Sequence, residues 1–533
     1  MKSDSRINLS MRKGLILIPM LLLLSLFYVP MVRVISLGFS LTSLLSVLSD
    51  EYYRRVIAFT FVQALLSTLA TLAVGIPGAY VFSHYDFPGK RFLRSLITVP
   101  FVMPSVIVAL GFIIIFGKSG PLGGLGILYN WKAIILAHVF YNYPVVVRVI
   151  ASSWERINPH YKEAAMSLGA KGFVVFRKIT LPLLLPSILV ASLLTFTFCF
   201  MSFSIPLILG GYKYATIEVA IFSSAMMLLD FKTSSSLALI QLTISAILMY
   251  IYAKLIERYS REEEQRVLIA KKRLKLDIEG IAILVYFIFV LVFIISPLFA
   301  VIYKALMFND RLSLEWFRRA FSEEYNPMFG TSSLMTILNT LKFGFIAVLI
   351  AVILALPLAR VIAREKFRGK GLLEVFATLP LASSSVMLGL GYLLAFRDTS
   401  LYGHWLLIAL AHATVAYPFA FRTISISIRK IKKNLLEASL TLGASEALSF
   451  LKVELPLIVN GILVASIFSF AISAAELATT YMLASPENTT LTLAIYKFIS
   501  SRQFGPASAL SVVLMIISMV SFLLIERIGE EVW

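Results

Sequence analysis

The side chains in this sequence that could do chemistry are few, and most of them stand in pairs. His138 and His412 each follow an alanine inside an apolar run. Two imidazoles facing one another could ligate a metal such as ferric iron. A helix-packing hydrogen bond explains each histidine equally well, and no carboxylate or tyrosine pattern joins the two. Glu476 lies in the run Ala474-Ala475-Glu476-Leu477-Ala478-Thr479-Thr480. If that run crosses a membrane, its carboxylate costs about 2.5–3.5 kcal/mol even on insertion scales. It must then line a water-filled path, with Thr479 beside it, or find a hydrogen-bonding partner. Ser202 stands at the matching place upstream, so such a path would be asymmetric. Gly117-Lys118-Ser119 ends like a phosphate-cradling loop, but the leading glycine belongs at 112, where Phe stands, and Gly111 comes one place early. No clustered His, Asp or Ser arrangement replaces it. The chain is expected to be no enzyme and to hold no cofactor of its own.

The most polar repeated stretch is of another kind. Asn158-Pro159-His160-Tyr161-Lys162-Glu163-Ala164-Ala165-Met166-Ser167-Leu168-Gly169-Ala170 has a counterpart in Asn434-Leu435-Leu436-Glu437-Ala438-Ser439-Leu440-Thr441-Leu442-Gly443-Ala444. Asn158 followed by Pro159 suits a helix start: Asn caps free N–H groups, and Pro has none to satisfy in the first turn. Glu163 falls early in that helix, where the dipole favours a carboxylate. Gly169 and Gly443 sit where a short helix must stop and the chain turn back. The small residues Ala164, Ala165, Ala438 and Ser439 would let another backbone approach closely.

Long apolar elements must carry these loops. Of 533 residues, 59% are hydrophobic, against about 45–50% for a soluble domain, and the mean hydropathy is +0.88. A soluble globule is excluded. Runs long enough to cross a bilayer, about 20 residues each, number twelve. They include 93–117 and 372–396 as third spans of the two halves, and 181–209 and 455–484 as fifth spans. The first follows Lys2, Arg6, Arg12 and Lys13 and is too long for a signal peptide. The net charge of +19 is strewn between spans, which reads as topology and not as a nucleic-acid surface. Most Lys and Arg fall in or beside segments on the N-terminal side, so both termini are expected in the cytoplasm. The single cysteine, Cys199, permits neither an intrachain disulfide nor a cysteine metal cluster.

The chain repeats itself. An offset of 280 residues places Pro77 on Pro357, Phe87 on Phe367, Gly89-Lys90 on Gly369-Lys370, Pro100 on Pro380, Ser105 on Ser385 and Gly111 on Gly391. An offset of 274 continues it through Ala137-His138, Tyr143-Pro144, Arg148, Glu163-Ala164, Leu168-Gly169-Ala170 and Leu181-Pro182. Six spans per half make the repeats parallel. The expected fold is an all-α polytopic membrane protein of about twelve helices in two parallel six-helix repeats. Residues 1–256 form the first half, with its loop at 158–180; 257–279 form a charged linker, read as solvated; 280–533 form the second half, with its loop at 432–454. Pro77, Pro100, Pro144 and their partners Pro357, Pro380 and Pro418 mark kinks, packing bends or span ends.

At the two loops the sequence resembles the permeases of ATP-binding cassette importers, whose signature is EAA, three residues and Gly, followed by a hydrophobic stretch with Leu-Pro. Here it reads EAAMSLGA before Leu181-Pro182 and EASLTLGA before Leu455-Pro456, departing only at Ser439. The fused form is similar to the single-chain permeases of the ferric-iron and thiamine importers. The resemblance implies that Glu163, Ala164, Ala165 and Gly169, with Glu437, Ala438, Ser439 and Gly443, couple the chain to a cytoplasmic ATPase homodimer that binds ATP and Mg. It also implies an extracytoplasmic substrate-binding protein, location in the cell membrane, and ferric iron or thiamine as cargo. Polyamines and phosphonates are compatible. A secondary transporter driven by an ion gradient is the rival, since it too uses twelve spans in two halves. It requires functional intramembrane carboxylates, and Glu476 is the only clear one.

Overall fold

The computed structural model describes residues 17–260, 272–275, 277–365 and 367–529. Lys2, Arg6, Arg12, Lys13, Glu262–Glu264 and Lys271 lie outside the described residues, as does most of the linker.

Ten helices are long and apolar enough to cross a membrane, and two bent helix pairs bring the total to twelve. In the first half these are α1 (Leu17–Gly38), α3 (Glu51–His84), the pair α4 (Lys90–Val102) and α5 (Ser105–Phe116), α6 (Trp131–Trp154), α8 (Gly172–Phe200) and α10 (Phe231–Ile256). A short α2 (Leu41–Ser49) precedes α3, the loop helix α7 (Pro159–Ser167) precedes α8, and α9 (Ile217–Met226) precedes α10. The second half runs α11 (Ile278–Leu306), α12 (Glu315–Ala320), α13 (Ser333–Arg364), the pair α14 (Lys370–Ala382) and α15 (Ser385–Phe396), and α16 (Trp405–Lys430). It ends with the loop helix α17 (Lys433–Thr441), α18 (Glu446–Ala475), α19 (Ala478–Leu483), α20 (Leu491–Ser500) and α21 (Phe504–Gly529).

The local reasons are legible. Asp50 caps α3 by accepting from the Tyr52 amide at 2.7 Å, and Ser332 caps α13 by accepting from Met335 at 3.2 Å. With 34 residues, α3 is about 50 Å long, well beyond the hydrocarbon core. The third spans are not straight: α4 meets α5 at 98° and α14 meets α15 at 100°. Pro104 holds Met103 extended at the first bend. At the second, Ser383 and Ser384 are extended and the Ser384 hydroxyl caps α15. The carbonyl freed at Met103 accepts from the Tyr141 hydroxyl at 2.6 Å. The fifth spans begin nine residues before the predicted starts at 181 and 455, because one π-turn, Phe176–Thr180 or Phe450–Glu454, joins a four-residue helix to the span. Pro182 and Pro456 lack the N–H an α-turn would use there, and the wider turn accommodates the loss.

The chain forms two compact units, one of residues 48–220 with 243–303, the other of 1–47, 221–242 and 304–533. Each unit therefore takes its leading span from the other sequence half. In the first unit α11 packs on α5 where Gly111 leaves room: a Cβ there would lie 2.4 Å from the Pro297 carbonyl oxygen. Tyr286 donates to the Val74 carbonyl at 2.7 Å and meets the Tyr143 hydroxyl at 3.0 Å. In the second unit α1 packs on α15 through the equivalent Gly391, whose Cβ would lie 3.0 Å from the Pro30 carbonyl oxygen. Tyr28 stacks on Phe376 at 4.4 Å and donates to its carbonyl at 2.8 Å. The core of each unit is its fourth span, α6 or α16, with 72% and 78% of the apolar window buried. The remaining spans mostly turn apolar side chains outward, as lipid-facing helices do. One buried hydrogen bond recurs at equivalent places. Thr60 accepts from the Ile217 amide at 2.9 Å and Thr340 from the Leu491 amide at 2.8 Å, satisfying the first turns of α9 and α20.

Candidate functional site: two fastened loops and two histidine networks

The loop helices α7 and α17 have no buried residue. Asn158 caps α7, accepting from the His160 amide at 3.0 Å with Pro159 in the first turn. Glu163 is exposed and pairs with His160 Nδ1 at 3.0 Å. Both helices end in the same two-bond motif. Gly169 donates to the Met166 carbonyl at 2.9 Å and Ala170 to Ala165 at 3.0 Å; Gly443 donates to Leu440 at 3.0 Å and Ala444 to Ser439 at 3.1 Å. Both glycines are left-handed, at φ +83° and +89°, and a Cβ on either would meet nothing within 4 Å. The requirement for glycine here is torsional, not steric.

The residue before each glycine stands out. Leu168 and Leu442 are each 89% exposed, although burying a leucine is worth about 1.5–3 kcal/mol. Met166, Phe173, Leu435, Leu440 and Leu451 on the same loops are exposed as well. Ala164 and Ala438 are exposed, Ala165 half-buried. Ser439, the one departure from the signature, bonds the Ser449 hydroxyl at 2.5 Å; the first loop has the apolar Ala165 and Val175 at the two equivalent positions, so the polar exchange was made at both places together.

Sequence reasoning missed how the loops are held. Glu454 is fully buried in the π-turn at the end of the second loop. It accepts from Arg360 Nε at 2.8 Å and Arg364 Nε at 2.7 Å. Arg364 also donates to the Ile428 carbonyl at 3.0 Å and the Ile431 carbonyl at 3.2 Å, at the loop's start. Arg360 lies over the Phe450 ring, 4.7 Å from its centre. One arginine thus ties both ends of the 432–454 loop to α13. The first half has Tyr80, His84, Trp154 and Thr180 at the equivalent places. Tyr80 packs tilted and His84 edge-on against Trp154, with ring centres 5.5 and 5.3 Å away, and Lys162 on α7 donates to His84 Nε2 at 3.3 Å. Lys162 is half-buried, and burial and then the neighbouring Lys272 charge hold its pKa below the ordinary lysine value. Lys272 and Arg273, the described part of the linker's charged run, pair in parallel with Tyr85 and Asp86. Arg360 and Arg364, four apart in an apolar run, were the available signal for the clamp.

Deeper in each unit, the histidines separate into different environments. His412 Nε2 meets the Thr480 hydroxyl at 2.8 Å, which donates to the Glu476 carbonyl at 3.2 Å. His412 Nδ1 meets Ser473 at 2.8 Å. Both ring nitrogens are engaged, leaving no lone pair for a metal. Glu476 is 9% exposed and accepts from the Thr479 amide at 3.0 Å, capping α19; Thr479 is fully buried. His138 Nδ1 meets Ser67 at 3.0 Å, and its Nε2 has no partner. It lines a cavity of about 170 Å³ with Phe101, Ser105, Tyr141, Asn142, Phe198, Ser202 and Ile205. Among the described residues no group of three His, Cys, Asp or Glu side chains is placed to hold a metal ion. Gly117–Ser119 forms a turn after α5, not a loop that opens a helix.

Two six-span repeats, each hanging an apolar-tipped, glycine-closed helix between its fourth and fifth span, define a tandem-duplicated membrane permease. The chain belongs to the family of binding-protein-dependent transport system inner membrane components, which it matches over residues 71–261 and 347–532. It is a multi-pass inner-membrane permease of an ABC importer. It is 26% identical to the thiamine transport system permease protein ThiP of Haemophilus influenzae over 395 residues, 71% of this chain and 70% of that protein. With ThiP of Escherichia coli the identity is 25% over 91% of this chain and 90% of that protein. With the ferric transport system permease protein FbpB of Actinobacillus pleuropneumoniae it is 24% over 90% and 72%. A solved bacterial ABC transporter involved in alginate import matches 50% of this chain and 100% of its own at 16% identity and a TM-score of 0.40.

Proposed function

We propose that this permease carries thiamine, with ferric iron as the second candidate, from an extracytoplasmic binding protein to the cytoplasm, driven by an ATPase homodimer. The ATPase binds ATP and Mg and seats on the loops 158–180 and 432–454, both termini lying on its side of the membrane. The observation that supports coupling is the pair Leu168 and Leu442, matched by the repeat and each 89% exposed beside a left-handed glycine. A pair of bare leucines at the tips of two short helices is what a grooved partner would cover. Glu163 and Glu437 then orient the helices, and Ser202, Glu476 and Thr479 lie toward the transport path.

Purification from the native membrane in mild detergent tests the coupling. An ATPase with a phosphate-binding loop should accompany the chain in two copies, and Leu168→Ser with Leu442→Ser should release it. In proteoliposomes holding the whole complex, thiamine-loaded binding protein should stimulate ATP hydrolysis; stimulation by ferric iron alone would assign the second cargo. A chain that comes out alone and transports under an ion gradient would be a secondary transporter.

A further inference from the structure

The imidazole of His138 is 2% exposed, and its Nε2 has no hydrogen-bond partner, while the equivalent nitrogen of His412 is bonded. The reason can be read residue by residue. Thr480, whose hydroxyl meets His412, has Pro206 as its counterpart, which offers no hydroxyl. Glu476, whose carboxylate caps α19 in the second unit, has Ser202 as its counterpart. Asn142 replaces Ala416, and its amide nitrogen is held by the His138 carbonyl at 2.9 Å and the Cys199 sulfur at 3.4 Å. The unpartnered Nε2 lines the cavity described above. A buried polar atom without a partner costs about 1–3 kcal/mol, so an occupant that bonds it is favoured.

We infer that this cavity of the first unit is a binding site for one planar nitrogen heterocycle of the kind thiamine carries as its aminopyrimidine, whereas in the second unit the matching imidazole nitrogen is already bonded. The inference rests on the cargo reading above and deepens it. Its size suits one ring: about 170 Å³, where an apolar cavity of about 150 Å³ admits benzene. Its walls suit a flat aromatic. Phe101 and Phe198, each nearly half exposed, both line it and pair at 6.1 Å between ring centres, and aromatic faces also attract a cationic ring. The imidazole Nε2 and the Ser105 and Ser202 hydroxyls supply hydrogen bonds to ring nitrogens and an exocyclic amine. Its lining has no carboxylate and one imidazole, which is the wrong donor set for a hard trivalent cation.

The test uses the detergent-solubilised full-length chain, with saturation-transfer NMR and equilibrium dialysis of three probes: thiamine, its free aminopyrimidine fragment, and ferric citrate. Thiamine and the fragment should bind, and ferric citrate should not compete with them. Pro206→Thr supplies Nε2 with the hydroxyl it has in the second unit, and should weaken the fragment about threefold to tenfold. Ser202→Glu, which mimics the second unit, should act in the same direction. His138→Leu should do so too, with thermal unfolding to confirm that the chain is folded. If Pro206→Thr and Ser202→Glu both leave fragment affinity unchanged, or if the folded wild type binds no fragment, the site is refuted. Copurification of the ATPase is read separately. Its loss would strike the permease reading, while its presence alongside unaltered fragment binding strikes only this site.

Discussion

The two loops share a backbone and differ in how they are fastened. Each has a short helix, a left-handed glycine at φ +83° or +89°, a four-residue helix, a π-turn and a Leu-Pro. Yet the second is tied at both ends by Arg364 and a fully buried Glu454, whereas the first packs Tyr80 and His84 against Trp154 and bonds Lys162 to His84. The repeat preserves the backbone requirement, the glycine torsion and the exposed leucine in both copies. It did not preserve the anchor, because any interaction that holds the loop's ends against α3 or α13 serves. Ion pairs resist displacement only when both partners stay, so the second loop should be the stiffer and the more easily broken by a single change.

The largest effect should therefore come from Glu454→Ala. It leaves two arginines, one of them largely buried, facing an empty site, and should cost about 3–5 kcal/mol in a denaturant titration in detergent, with faster proteolysis within 432–454. Thr180→Ala, at the matching place, should cost less than about 1 kcal/mol. The quadruple change Glu454→Thr, Arg360→Tyr, Arg364→His and Ile428→Trp gives the second anchor the rings of the first and should recover much of the loss, since replacing both sides of a buried pair together is often near neutral. If the single change is as mild as Thr180→Ala, the clamp does not hold the loop.

A middle-sized effect should separate the two helix contacts. Gly111→Ala places a methyl 2.4 Å from the Pro297 oxygen, inside contact distance, whereas Gly391→Ala meets Pro30 at 3.0 Å. Overpacking costs about 1–3 kcal/mol, with Gly111 at the upper end. Equal unfolding midpoints for the two variants would show that α11 shifts to make room. Next come Gly169→Val and Gly443→Val, each at about 1–2 kcal/mol for a side chain in left-handed backbone. These two should be equal, since neither site is crowded. The double variant should insert normally and lose coupling to ATP hydrolysis, while Asn at either position should restore part of it. Wild-type uptake by the double valine variant would refute the role of the turn.

Much of this was visible in residue types whose backbone demands are local. Gly169, Gly443 and Asn158-Pro159 state their torsions and caps directly, and the paired prolines mark where spans break. The spans themselves follow from hydropathy, but their starts do not: a π-turn adds a turn to α8 and α18 that no hydrophobic period reveals. The exchange of α1 and α11 between units is set by Gly111 against Pro297 and Gly391 against Pro30. Both glycines were visible as a repeated pair, but their partners lie far away in sequence. The anchors were invisible for the opposite reason. Arg360, Arg364 and Glu454 have no counterpart in the first half, so a search for repetition passes over them. His138 and His412 look identical in sequence, and what distinguishes an open nitrogen from a bonded one, Pro206 against Thr480 above all, stands elsewhere in the chain.

The smallest effect is also the one most specific to the first loop. Burial and the Lys272 charge disfavour the ammonium of Lys162, so the folded chain gives up that proton more readily than the unfolded chain does. The unfolded state binds more protons between the lowered pKa and 10.5. In that interval this residue's contribution to stability rises with pH, and below it Lys162 is a small net cost. At any given pH in that range more of Lys162 is the free amine in the folded chain than in the unfolded one, so an acylating reagent should modify it at lower pH in the folded chain than after denaturation. Lys272→Gln removes one of the two causes and should move the pH profile of Lys162 in the folded chain toward that of the denatured chain. The second loop has Leu436 at this position, so its anchoring should show no such dependence on the linker. A Lys162 profile that is the same in the folded and the denatured chain, with or without Lys272, would mean that the linker's pairing with Tyr85 and Asp86 leaves the first loop electrically untouched, and that both loops answer to α3 and α13 alone.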